Sequence, residues 1–87
     1  MKKEEFKELL KECKDSIEIT DKRIATDLAF LNVEHGINIS LNVDDNFKPF
    51  YEINEEDLFQ DDIHLEEVYN LLLHGWKEKN NSLILYV

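Results

Sequence analysis

Hydrophobic and polar positions along this chain follow two different periods, and the switches between them mark its elements. Phe6, Leu9, Leu10, Cys13 and Ile17 recur at i, i+3, i+4, i+7 and i+11, the single apolar stripe of an amphipathic helix. The spacing predicts a helix over residues 3 to about 17, with Glu4 and Glu5 near its N-terminal dipole and Lys11 and Lys14 near its C-terminal one. Ile37, Ile39, Leu41 and Val43 then alternate with Asn38, Ser40 and Asn42, which predicts an antiparallel strand with one buried and one wet face. Phe47 to Ile53 reads as a further strand with Phe47, Tyr51 and Ile53 inward. Pro49 lacks an N–H donor, so this strand is expected at an edge or bent. The helical period returns with Leu65, Val68, Tyr69, Leu72 and Trp76. Gly75 stops that helix, or the helix runs on to Lys79 before Asn80-Asn81 turns the chain. Leu83–Val87 is a continuous apolar run, the pattern of a strand buried on both faces.

Residues 18–36 fit two patterns. Ile24, Ala25, Leu28, Ala29 and Leu31 make a helical stripe, capped at Thr20 or Asp21 and stopped by Gly36. Phe30, Leu31 and Val33 leading into His35-Gly36 read instead as a strand entering a two-residue turn. The expectation adopted is a strand over about 26–34. Asp44-Asp45-Asn46 reads as a turn. Asn54 reads as the N-cap of a short helix with Leu58 and Phe59 inward, and Asp61 or Asp62 as the cap of the next one. Together these elements predict a single α+β domain over residues 1–87. It has an N-terminal helix, a three-stranded antiparallel meander, one short and one long acidic helix, and a C-terminal strand, with the helices on one face of the sheet.

Charge changes this picture more than overall composition does. The chain is 43% hydrophobic and holds five Phe, three Tyr and one Trp, enough to build a core, so the excess of acids does not signal disorder. The net charge is −10, and residues 44–67 set ten carboxylates against the single cation Lys48. An excess of this sign disfavours bare nucleic acid and anionic membranes as partners and favours basic proteins. Cys13 is the only cysteine, so no intrachain disulfide can form, and it reads as a small buried hydrophobe. No apolar run follows Lys2 and Lys3, and the longest apolar runs, Leu71–Leu73 and Leu83–Val87, are too short to span a bilayer. The expectation is a soluble, cytoplasmic chain, monomeric or homodimeric.

The sequence carries no recognisable catalytic motif. His35, His64 and His74 form no ligand spacing, and there is no Gly-rich phosphate loop or nucleophile elbow. Neither Asp44-Asp45-Asn46 nor Asp61-Asp62 has the alternation and central glycine of an EF-hand loop. No cofactor, metal or catalytic residue is therefore assigned, and the protein reads as a binder rather than an enzyme. The candidate contacts are Asp44, Asp45, Glu55, Glu56, Asp57, Asp61, Asp62, Glu66 and Glu67, acting electrostatically, with Tyr51 as an aromatic anchor. Helix capping accounts for part of this set, at about 0.3–1 kcal/mol per residue.

A short, strongly acidic chain with a helix, a small meander and further acidic helices resembles the phage-borne anti-CRISPR proteins, some of which mimic DNA. Val68–Trp76, VYNLLLHGW, is similar to a helix ending in Asn-Gly-Trp in one such inhibitor, with His74 where Asn would stand. The resemblance implies competitive blocking of a basic, nucleic-acid-binding enzyme. A toxin-immunity protein or antitoxin would use the same acids. A homo-oligomeric structural protein would pair through Leu83–Val87 as an edge strand.

Overall fold

The apolar stripe of the first segment forms α1 (Lys3–Glu12), which buries Phe6 and Leu9 and leaves Leu10 and Cys13 partly covered against the core. The structure, a computed structural model, describes residues 1–13 and 21–87, so the expected continuation of this helix to Ile17 lies outside the described residues. Glu5 accepts from the Lys2 backbone N–H at 3.0 Å, closing the first turn. The Met1 ammonium donates to the carbonyls of Gln60 and Ile63, which fastens the start of α1 to the loop before the last helix.

The expected strand over 26–34 is not formed. The segment is α2 (Asp21–Ala29), which continues into a single π turn at Phe30–Glu34. Ile24, Leu28 and Leu31 are its inward residues, so the helical stripe prevails over the Phe30–Val33 strand pattern. Val33, which supported the strand, is exposed. The turn ends at Gly36, whose φ of +65° suits glycine. Gly36 N–H donates to Asn32 O at 3.0 Å and Ile37 N–H to Leu31 O at 2.9 Å, a helix stop one residue wider than the usual Schellman pattern.

The sheet has the order β1-β2-β4-β3, with every neighbouring pair antiparallel. Its strands are β1 (Ser40–Val43), β2 (Pro49–Asn54), β3 (Lys77–Lys79) and β4 (Ser82–Tyr86). The class is α+β, as expected, but the three-stranded meander is not formed, because the first of its expected strands is helical; β4 pairs with β2 instead, and β3 adds beyond β4. Two expectations about edges change with it. β2 is central despite Pro49, because Pro49 is its first residue, where the missing N–H interrupts no ladder. β4 is paired with β2 along its length and with β3 over Ser82–Ile84, so any free edge of the Leu83–Val87 run is confined to residues 85–87. Asn80 and Asn81, both at positive φ, make the two-residue turn joining β3 to β4, and the helix that could have run to Lys79 stops earlier.

That last helix, α3 (Leu65–Leu73), ends in a Schellman motif. Trp76 N–H donates to Leu71 O, Gly75 N–H donates to Leu72 O, and Gly75 sits at φ +105°. Its N-cap is His64 rather than Asp61 or Asp62, with Glu67 accepting from the His64 N–H at 3.1 Å. Val68, Leu71 and Leu72 are its buried face, while Leu65 and Tyr69, expected inward, lie at the exposed margin.

The core lies between one face of the sheet and the helices. Ile53, Leu83 and Leu85 meet Phe6, Leu9, Leu31, Leu58, Ile63, Val68, Leu71 and Trp76, and the Phe6 and Phe59 rings pack edge to face at 5.7 Å. Each such side chain contributes roughly 1.5–3 kcal/mol on burial. Cover fails at one corner of that face. Leu41 and Val43 alternate inward as expected, yet are 61% and 58% exposed. Phe47, also expected inside, is 87% exposed at the hairpin tip. Among the described residues, no helix is long and apolar enough to cross a membrane.

Candidate functional site

The acidic window is divided by β2. Asp44 and Asp45 stand in the β1–β2 turn, at the start of β2, whereas Glu55, Glu56 and Asp57 follow its end. The strand's length separates the two groups by roughly 17 Å, taking about 3.3 Å per residue. The second group continues along the chain through Asp61 and Asp62 to Glu66 and Glu67 in the first turn of α3. Residues 49–76 contain no Lys or Arg. Tyr51 lies within β2, half-buried opposite Leu41 and Leu85, on the sheet's core face rather than among the acids.

Several of these carboxylates have local structural work. Asp44 Oδ1 accepts from the backbone N–H groups of Asn46 at 2.8 Å and Lys48 at 2.9 Å. The Lys48 bond is the main reason its carboxyl is held below the ordinary range, with Asn46 and the Tyr86 hydroxyl adding to it. Asn54 caps the 3-10 turn Glu55–Leu58 by accepting from Glu56 N–H at 3.0 Å, as the sequence predicts. Glu55, first in that turn, is only 6% exposed. Burial, then a hydrogen bond and charge repulsion from Glu78 on β3, push its carboxyl up to about 7. Glu55 is therefore not a free surface charge. Glu56, Asp57, Asp61, Asp62 and Glu66 are exposed, and among the described residues none has a Lys or Arg within ion-pair distance. These five, an arc along the chain from the 3-10 turn to the start of α3, are the solvent-facing acids of the second group. Glu56 and Asp57, with Glu52, also border an asparagine-rich groove of about 610 Å³ that includes Asn38, Asn54 and Asn81.

A second constellation is absent from the sequence reading. Asp27 on α2 is 5% exposed. It accepts from His74 Nδ1–H through both oxygens at 2.9 Å, and Oδ2 also accepts from the Trp76 indole N–H at 3.1 Å. Burial raises the Asp27 carboxyl above its ordinary value, and the bonds from His74 and Trp76 oppose that rise. The α3 Schellman stop is what brings His74 and Trp76 to the same acceptor, since it turns the chain sharply between them. The signal for Asp27 was its position three residues after Ile24 on the helical stripe, which the strand reading concealed.

Asp27 and His74 line a groove of about 580 Å³ between α2 and α3, together with Thr26, Phe30, Glu34 and Glu67. An imidazole oriented by a carboxylate has the makings of a base. Thr26, the hydroxyl in the groove, is bonded to Lys22 O at 2.9 Å, so the cluster's evident work is to tie α2 to the end of α3. At the groove's other end Glu34, His35 and Glu67 bring one ligand atom each within 4.8 Å of the others, the one group among the described residues with donors suited to a metal ion. Asp62 Oδ2 stands 3.3 Å from His35 Nδ1.

The chain matches no protein-family model, no curated protein and no solved structure.

Proposed function

We propose that this is an acidic binding protein that engages and inhibits a basic partner, with a nucleic-acid-binding surface as its target. The observation that carries this reading is the Lys- and Arg-free stretch from 49 to 76, whose exposed carboxylates Glu56, Asp57, Asp61, Asp62 and Glu66 have no Lys or Arg partner among the described residues. Local folding accounts for Asp44 through its turn and for Glu67 through the α3 cap. It leaves Glu56, Asp57, Asp61 and Glu66 without an internal role and Asp62 with only the His35 ring beside it, and unneutralised charge of one sign costs stability through self-repulsion. A partner lined with Lys and Arg would relieve that repulsion and would be steered in by it.

The arc, rather than the whole 44–67 window, is the surface on this reading. Asp44 and Asp45 lie too far along β2 to share a single small footprint with Glu56 and Asp57, and with exposed Phe47 they make a separate contact at the hairpin tip. The test is capture of partners from a cell lysate at low salt, with elution by a salt gradient. A variant carrying Glu56→Lys, Asp57→Lys, Asp61→Lys and Asp62→Lys serves as control. A basic protein that elutes with rising salt, is displaced by duplex DNA and is lost with the variant supports inhibition at a nucleic-acid site. Displacement by salt but not by DNA would keep the acidic binder and remove the nucleic-acid target. A partner held equally by the variant would end the reading.

A further inference from the structure

The geometry points to a binding site for a first-row divalent cation at Glu34, His35 and Glu67, with Zn²⁺ the ion best matched to its donors. Two separate elements converge there. Glu34 is the last residue of the π turn, His35 caps that turn, and Glu67 is in the first turn of α3. Their ligand atoms all lie within 4.8 Å of one another. Metal–ligand bonds of about 2.0–2.2 Å require closer approach than this, and the Glu34 side chain, being exposed, is free to swing inward.

The histidine itself points to a ligand. Its side chain is 9% exposed, and Nδ1 is buried without a hydrogen-bond partner. A buried polar nitrogen left without a hydrogen bond is costly, and an ion bound to the imidazole would offset that cost. Asp62 Oδ2, at 3.3 Å, is within ion-pair range of Nδ1 but makes no hydrogen bond to it. The Phe30 ring packs edge-on against His35 at 4.7 Å and restricts its rotation. Glu67 is held as well, since one carboxylate oxygen accepts from His64 N–H and the other remains available.

The donor set selects the ion. One imidazole nitrogen with carboxylate oxygens suits Zn²⁺, Mn²⁺ or Fe²⁺, whereas Ca²⁺ and Mg²⁺ prefer oxygen alone. Neither Glu34 nor Glu67 has a Lys or Arg partner among the described residues, so three carboxylates surround one imidazole without a fixed countercharge. Three protein ligands leave a coordination position open, and Glu34 and Glu67 place it at the mouth of the α2–α3 groove. This site does not depend on the acidic-partner reading, because its ligands, Glu34, His35 and Glu67, are not among the five exposed acids.

The test is calorimetric titration of tag-free, chelator-stripped protein with ZnCl₂. One equivalent should bind in the micromolar range or tighter, and excess MgCl₂ or CaCl₂ should not displace it. Glu34→Gln, on an exposed residue, and Glu67→Gln, which keeps the capping hydrogen bond, should each weaken binding by about tenfold or more. Asp45→Asn, exposed in the β1–β2 turn away from the site, should leave it unchanged. Amide NMR of the unaltered protein with Mn²⁺ gives a readout independent of any variant, and broadening should centre on residues 34, 35 and 67. Absence of Zn²⁺ binding, affinity unaffected by both Gln variants, or broadening centred elsewhere would overturn the site.

Discussion

The Asp27 carboxylate and the His74 imidazole, 47 positions apart in the chain, meet at 2.9 Å through both carboxylate oxygens. Trp76 donates to the same acid, so one buried carboxylate joins α2 to the residues on either side of Gly75. Asp27→Ala leaves the His74 ring N–H and the buried Trp76 indole N–H without their acceptor. Unfolding stability should fall by at least about 1–3 kcal/mol, measured by urea denaturation. A loss below a few tenths of a kcal/mol would mean that solvent reaches the cluster. His74→Ala should also destabilise, because it leaves a buried carboxylate with only the indole N–H.

Glu55 gives the fold a pH dependence of defined sign. Its carboxyl is raised from an ordinary 4.5 to about 7 by burial and by Glu78, so the folded state holds a proton that the unfolded chain releases at lower pH. The stability tied to that proton is fully present below about 4.5 and is lost as the pH rises through about 7. Thermal unfolding midpoints of the native protein should therefore decline from pH 5 to pH 8 by more than those of Glu55→Gln, which carries no charge to bury. Parallel pH profiles for the two proteins would contradict this.

Phe47 is held at φ +61° while almost wholly exposed, a backbone region that costs a bulky L-residue about 1–2 kcal/mol. Phe47→Gly should accordingly raise stability by on the order of 1 kcal/mol in urea unfolding. If the hairpin tip contacts the partner, the same substitution should weaken capture while strengthening the fold. A neutral or lower stability would show that the ring has packing the exposed tip does not reveal.

The four-lysine variant of Glu56, Asp57, Asp61 and Asp62 should fold as well as the native chain or better. All four side chains are exposed, and their reversal removes much of the self-repulsion behind a net charge of −10. The check is a thermal midpoint compared at low and high salt. The native protein should gain stability as salt screens its acids, and the variant should gain less. A lowered midpoint at low salt would assign these carboxylates a folding role that their surroundings do not display.

Local chemistry made much of the fold legible. The turn at Asn80-Asn81, the Asn54 cap, the Gly75 stop and the stripe of Phe6 and Leu9 all depend on residues within a few positions of one another. Residues 21–34 were not legible in this way, because their apolar positions satisfy both a helical stripe and a short strand. The choice came from contacts far along the chain: as a helix, the segment buries Leu31 in the core and delivers Asp27 to His74 and Trp76. The candidate site divides similarly. Which acids exist is written in residues 44–67, but which are free to meet a partner is not.

By itself the sequence determined the α+β class, the two strong helices, the Ser40–Val43 part of the strand expected over 37–43 and an excess of negative charge confined to one window. Periodicity and local turn chemistry act over a few residues and need no partner to be read. Only the tertiary structure decided that β4 lies inside the sheet, that Leu41, Val43 and Phe47 remain in solvent, and that Glu55 is buried beside Glu78. It also divided the acidic window at β2 and gathered Glu34, His35 and Glu67 around one point. Burial and proximity depend on which distant segment covers a residue, and no short-range pattern carries that information.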